Sequence, residues 1–292
     1  MKLVTPTETI HARLGEFNGI RLICESGFDG IDYSMFHMNG RNGDDCRLNS
    51  PDYKEHIKKV KSIADSYGVT FEQSHAPFPS RREKDIIYNS KMLDILARCA
   101  EISAMLGIKL MVVHPVFYKR RPLEKNIDFF NRIEHLASDN GIKIAIENVW
   151  GTDRRGNPVP NITGARSDTL KALLGSLDCR YFTACVDVGH CGLVGEKPEE
   201  MIREMGKKIG CFHIHDNDNK SDLHTLPYTA KLDWEAVLKA IADIGYAGNF
   251  TLEADRFFAG MPEELLPAAM KFMASTGRAM IKRIEEMKAE NG

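Results

Sequence analysis

An α/β fold, a single (β/α)8 barrel over residues 1–292 with its active site at the C-terminal rim of the strands, is what the sequence predicts. Three observations lead there. Short runs rich in Val, Ile, Phe and Thr alternate with longer stretches whose apolar residues recur three and four apart, the signature of strands joined by crossover helices in a parallel sheet. Eight such pairs fit into the chain, the number that closes a sheet into a barrel. Four of the strand runs turn abruptly polar at their C-terminal ends, at Glu147, Asp187, His213 and Glu253, and in a parallel barrel those ends converge on one rim.

The elements follow in order. MKLVTP at the start is the first strand, with a helix near 15–26. Then come GIDYSM (30–35) and a helix over 53–67, VTFEQSHA (69–76) and 84–106, and IKLMVVHP (108–115) and 123–140. The second half repeats the pattern: IKIAIEN (142–148) and 168–177, FTACVDVGH (182–190) and 197–207, CFHIHDN (211–217) and 233–244, NFTLEAD (249–255) and 263–289. Gly68, Gly107, Gly141 and Gly245 end helical stretches just before strands, where a left-handed cap is expected. An open doubly wound sheet is the competing architecture, but it usually carries a Gly-rich phosphate loop, and neither GxGxxG nor a Walker signature occurs.

Bulk properties fit one domain. The 292 residues are 43% hydrophobic, and no Pro/Gly/Ser-rich linker divides them. A net charge of −2 gives no general pull toward nucleic acid or anionic membranes; Lys58-Lys59, Arg81-Arg82 and Lys119-Arg120-Arg121 read as solvated faces or loop edges. MKLVTPTETI lacks the apolar core of a secretory signal and no run is long enough to span a bilayer, so a cytoplasmic protein is expected. The seven cysteines, none in a CxxC pair, are expected as free thiols, with Cys185 packed below Asp187.

The strand ends carry the chemistry. Three carboxylates and one imidazole, Glu147, Asp187, Glu253 and His213, suit one divalent ion of intermediate hardness: manganese, magnesium, cobalt or zinc. His75, His114 and His190, then Asp222 and His224 beyond the seventh strand, join the same face, with Asp32 or Tyr33 from the second strand. Buried charge at that density costs several kcal/mol per group unless paired or ligated. In HIHD, His213 and His215 share one side of the strand; His213 is the deeper, metal-directed residue, His215 supports it, and Asp216 faces away to cap the next loop. Phe78, Phe117, Trp150 and Phe257 follow strand ends and offer apolar walls for a small ligand.

The texts SHAPF, VVHP, IAIENVWG, CVDVGH, FHIHDND and LEAD, with GEFNGIRLICESGFDGIDYSM near the start, resemble the xylose isomerase-like TIM barrel superfamily over nearly the whole chain. That superfamily holds sugar and sugar-phosphate isomerases and epimerases, inosose dehydratases and endonuclease IV. In the epimerase branch the resemblance implies one divalent ion on Glu147, Asp187, His213 and Glu253. It also implies a substrate contact at His190 and acid/base roles for Glu147 and Glu253 on opposite faces of an enediolate. His75, His114 and Trp150 join the expected substrate contacts, and Lys220 stands where that branch often has an arginine. The endonuclease branch maps a three-zinc site onto His75, His114, Glu147, Asp187, His190, His213, Asp222, His224 and Glu253, all present. Basic rim loops KRRP (119–122) and DRRGNP (153–158) are offset by NGRNGDDCR (39–47) and DNDNKSD (216–222). The expectation is therefore a sugar, polyol or sugar-phosphate substrate, with abasic-site DNA repair and an inosose dehydratase-like lyase as alternatives. A barrel that only binds ranks last, since no ligand position is missing. Long C-terminal helices often join subunits in that superfamily, so with the final helix here the resemblance also implies a homo-oligomer.

Overall fold

The computed structural model describes residues 1–40 and 46–290, so most of the NGRNGDDCR rim loop lies outside the described residues. Eight parallel strands close into a barrel. They are β1 (Lys2–Pro6), β2 (Gly30–Ser34), β3 (Thr70–His75), β4 (Leu110–Val113), β5 (Lys143–Glu147), β8 (Phe182–Asp187), β9 (Ile209–Ile214) and β10 (Asn249–Leu252). Around the barrel the order is β1-β10-β9-β8-β5-β4-β3-β2, each strand beside its chain neighbour in the barrel. The crossovers are α1 (Glu8–Leu14), α2 (Glu16–Glu25), α3 (Tyr53–Ser66), α4 (Ile86–Leu106), α5 (Pro122–Asn140), α6 (Ser167–Gly175), α7 (Val188–Leu193), α8 (Pro198–Met205), α9 (Trp234–Asp243) and α10 (Leu266–Glu290).

The barrel expected from the sequence is therefore present, with three local differences. The first crossover is two helices, because Gly15 adopts φ 73° and breaks the run between Leu14 and Glu16. FTACVDVGH ceases to be strand at Asp187, whose side chain accepts from His190 N and starts α7. An antiparallel hairpin, β6 (Gly151–Thr152) with β7 (Pro158–Val159), stands after β5. DRRGNP makes its turn: Asp153 Oδ1 accepts from Arg155 N at 2.7 Å and Asn157 N at 2.9 Å. The four helix-ending glycines have φ of 70°, 85°, 62° and 65° at 68, 107, 141 and 245, the left-handed cap their positions required.

The main core lies between sheet and helices, and a smaller cluster of Val112, Ala145, Cys185 and Cys211 packs within the sheet, with Cys185 and Cys211 side by side in register. All seven cysteines are free. Helix α10 lies close on β1 and β10: a Cβ at Gly277 would stand 2.4 Å from Leu3 Cδ1 and 2.8 Å from Leu252 Cδ1. Among the described residues no helix is long and apolar enough to cross a membrane.

Candidate metal centre

Strand register sets the height of each polar side chain. Asp187 pairs with His213, and His213 with Thr251, so Glu253 stands one step past β10 at the same rim. Glu147 pairs with Cys185, two residues before Asp187. Ligand atoms of Glu147, Asp187, His213 and Glu253 come within 4.8 Å of one another. His213 Nδ1 lies 3.1 Å from Glu253 Oε2, 3.3 Å from Glu147 Oε1 and 4.0 Å from Asp187 Oδ2. Its other nitrogen, Nε2, meets Gln73 Nε2 at 2.9 Å and Asp32 Oδ2 at 3.6 Å, which fixes the ring with Nδ1 toward the carboxylates.

A second group surrounds the other oxygen of Glu147. His75 Nε2 and His114 Nε2 each lie 3.0 Å from Glu147 Oε2, and His75 Nδ1 faces the Ala76 carbonyl at 2.8 Å. The third group stands outward. His190 directs Nδ1 at the Asn148 carbonyl (2.9 Å) and Nε2 at Asp222 Oδ1 (3.6 Å). His224 Nε2 is 3.1 Å from Asp222 Oδ2, and its ring stacks on His215 with centroids 4.1 Å apart. His215 Nε2 in turn reaches Asp187 Oδ1 at 3.0 Å, tying this group to the first. Asp216 turns away and accepts from the Ala230, Lys231 and Leu232 amides and from Trp234 Nε1, holding the loop before α9.

The donors fit a divalent cation. His213 Nδ1 and Glu253 Oε2, 3.1 Å apart, are buried and make no hydrogen bond, a costly state that one cation held between them would relieve; Asp222 Oδ1, in the outward group, is in the same state. Electrostatics point the same way. Burial pushes the His213 imidazole down, but Cys185, Glu253 and Glu147 outweigh it and raise it well above the usual range. Burial likewise opposes ionisation of Glu147, yet His213 and His114 hold that carboxyl well below its usual value. His224 is raised to about 9: burial opposes this, and Asp222 and Glu253 overcome it. His114 is lowered, burial outweighing Glu147. A divalent ion here would compete with protons for these imidazoles and carboxylates.

Above these residues opens a cavity of about 990 Å³. His75, His114, Glu147, His190, Asp222, His224 and Glu253 line its floor, and Phe36, Phe78, Phe117, Trp150 and Ile162 its walls. Two expected positions lie elsewhere. Phe257 packs toward Phe272, with ring centroids 6.1 Å apart. Lys220 is exposed and does not line the cavity, because Asp218 Oδ1 accepts from the Lys220 and Ser221 amides in a turn directed outward. Arg120, Arg121, Arg154 and Arg155 are also absent from the lining, where Arg81, Arg82 and Arg256 stand instead. Sequence reasoning missed Gln73 and Arg256 and took Arg81-Arg82 for a surface pair; the signal for Gln73 was a polar residue two positions before His75.

Comparison with known proteins adds the lineage. The chain is 26% identical over 266 residues to fructoselysine 3-epimerase of Escherichia coli O157:H7, covering 86% of this chain and 90% of that protein. A D-tagatose 3-epimerase-like protein superposes with a TM-score of 0.75 at 21% identity, over 100% of this chain and 99% of its own. The IOLI protein, solved with a binding zinc atom, gives 0.68 at 17% identity over 97% and 98%. The model of the xylose isomerase-like TIM barrel family matches residues 20–276, and this chain belongs to that family.

Proposed function

We propose that this chain is a divalent-metal-dependent isomerase or epimerase of a sugar or sugar derivative, acting by proton transfer at the carbon beside a carbonyl. The observation that carries it is the placement of Glu147 and Glu253 on separate strands, both within 3.3 Å of His213 Nδ1 and both lining one cavity. A divalent ion bound by Glu147, Asp187, His213 and Glu253 would supply Lewis-acid polarisation of the carbonyl. Two carboxylates approaching from different strands can address opposite faces of the substrate: one takes the proton, the other returns it. His190, its Nδ1 held by the Asn148 carbonyl, presents Nε2 to a substrate oxygen. Aromatic rings at Phe78 and Trp150 give the carbon face of a sugar an apolar wall and help exclude water. The fructoselysine 3-epimerase likeness over 86% of the chain supports the reaction class.

The test is solvent exchange: the metal-loaded protein is incubated with ketoses in deuterium oxide and the proton next to the carbonyl is followed by NMR. Incorporation that Glu147→Gln and Glu253→Gln each abolish supports the reading; no exchange with any ketose or ketose derivative sinks it.

A second reading has its own observation. The three groups described above, {His75, His114, Glu147}, {Glu147, Asp187, His213, Glu253} and {His190, His215, Asp222, His224}, each gather enough donors for a cation. Three zinc ions would suit an abasic-site nuclease. Metal content of protein purified without chelator separates the two: about one ion per chain favours the sugar reaction, and about three with cleavage of an abasic duplex favours the nuclease.

A further inference from the structure

The floor of the cavity accounts for a sugar, but the cavity is larger than a sugar. At about 990 Å³ it lies near the top of the roughly 300–1,000 Å³ range of sites that enclose drug-sized ligands, whereas a free ketohexose has only a dozen non-hydrogen atoms. Its mouth is charged, and most of the charges there are engaged. Glu8 pairs with His37 at 3.1 Å and Glu83 with Lys125 at 3.0 Å. Arg256 Nη1 donates to the Asp222 carbonyl at 2.8 Å, and Arg82 lies 4.0 Å over the Tyr88 ring. Arg81 is the exception. Its side chain is partly buried and lines the cavity, and it makes no hydrogen bond or ion pair with any described residue.

Arg81 also belongs to a second hollow of about 430 Å³, so the two spaces share it as a common wall. That hollow is basic: Arg81, Lys84, Lys125 and Arg132 face Glu83 and Asp128, with Glu83 already spent on Lys125. A guanidinium held part way out of water with no partner costs solvation free energy, and a carboxylate or phosphate on the ligand offsets that cost through two parallel hydrogen bonds.

We infer that the natural substrate is a sugar carrying an anionic substituent, carboxylate or phosphate, which leaves the metal floor along the aromatic wall and is gripped by Arg81 at the threshold of the basic hollow. This rests on the sugar reading above and narrows it. The anion sets KM and orientation, and Arg81 is a specificity-determining residue that takes no part in proton transfer.

The experiment compares matched ligands on the metal-loaded protein: fructose, its terminal phosphate ester, and fructuronate, the same ketose with its terminal carbon oxidised to a carboxylate. Exchange kinetics are measured for wild type, Arg81→Met and Arg81→Lys, with thermal unfolding to confirm the fold. The expected result is an anionic member favoured over fructose by about tenfold or more in kcat/KM, carried by KM. That ratio falls to near one in Arg81→Met and is partly kept in Arg81→Lys, whose point charge lacks the fork. Preference for the phosphate or the carboxylate identifies the substituent. A ratio that Arg81→Met leaves unchanged, or a preference for fructose itself, overturns the inference. If none of the three exchanges, equilibrium binding of the two anionic probes to wild type and Arg81→Met still decides it: Arg81-dependent binding keeps the anion site while the sugar reaction falls, and equal or absent binding removes the site.

Discussion

Glu147 is the residue on which most of the centre converges, and its two oxygens have different neighbours: Oε1 faces His213, while Oε2 faces His75 and His114. Glu147→Gln keeps the shape and removes the charge, so metal content should fall together with at least a 1,000-fold loss of exchange activity, on the order of 4 kcal/mol of transition-state stabilisation. Atomic emission on the purified variant and the exchange assay check both. Gln73 offers a finer probe because it meets His213 at the ring nitrogen turned away from the carboxylates and touches none of the carboxylates of the four-residue group. Gln73→Leu frees that ring to rotate, and metal affinity should drop by about 10–100-fold, measured by competition with a chelator. Such residues mark the boundary of sequence reading. Alternation along β9 placed His213 and His215 on one side from the text alone. Gln73 acquires meaning only through register, which sets it beside Asp32, His213 and Thr251, strands far apart in the chain.

At the scale of elements, the joint between β8 and α7 is built without slack. A Cβ on Gly189 would stand 2.0 Å from His215 Cε1, so Gly189→Ala must push away the ring that holds Asp187. Metal affinity should weaken while the fold persists. Gly277→Ala on α10 is the counterpart: it should cost about 1–3 kcal/mol by overpacking against Leu3 and Leu252, with metal content at the wild-type level. Urea denaturation and metal analysis of both variants separate a site defect from a packing defect. The long amphipathic helices and apolar strands were legible in sequence because each repeats its period several times. The β6-β7 hairpin was not, since strands of two residues have no period to read. Lys220 was misplaced for a related reason: the DNDNKSD text shows a polar loop, but the turn made by Asp218 decides which way its residues face.

For the molecule as a whole, acid should be the first threat. His11 is half-buried with its Nε2 shielded from solvent and without a hydrogen-bond partner, and its pKa is lowered from 6.5 to about 3 by burial and secondarily by His37 and His56. The folded state keeps this ring neutral while the unfolded chain takes up a proton below pH 6.5. Its contribution is therefore whole above that pH and is lost progressively as pH falls toward 3, at most about 1.4 kcal/mol per pH unit. His11→Leu should flatten the fall in stability between pH 6.5 and 4.5, read from urea midpoints. Metal acts in the same sense as any ligand of the folded state: at a hundredfold excess over its dissociation constant it adds about 3 kcal/mol, and chelation should lower the unfolding temperature by several degrees. Fold, family and the convergence of polar strand ends were readable because a parallel barrel leaves its strand ends nowhere else to go. The place of Arg81 at the cavity was not, because nothing local says that the loop after β3 lines it.

The sharing of Glu147 has a further consequence for how the centre fills. Cations on adjacent groups would repel one another while drawing on the same carboxylate, so occupancy of one position lowers the affinity of the next. Where a second cation binds at His75 and His114, titration of the apoprotein should therefore give two separated heats, the tighter at the four-residue group around His213. A lineage that loses an outer imidazole would forfeit only the later steps, and one carboxylate at the centre would serve chemistries of different nuclearity without being rebuilt.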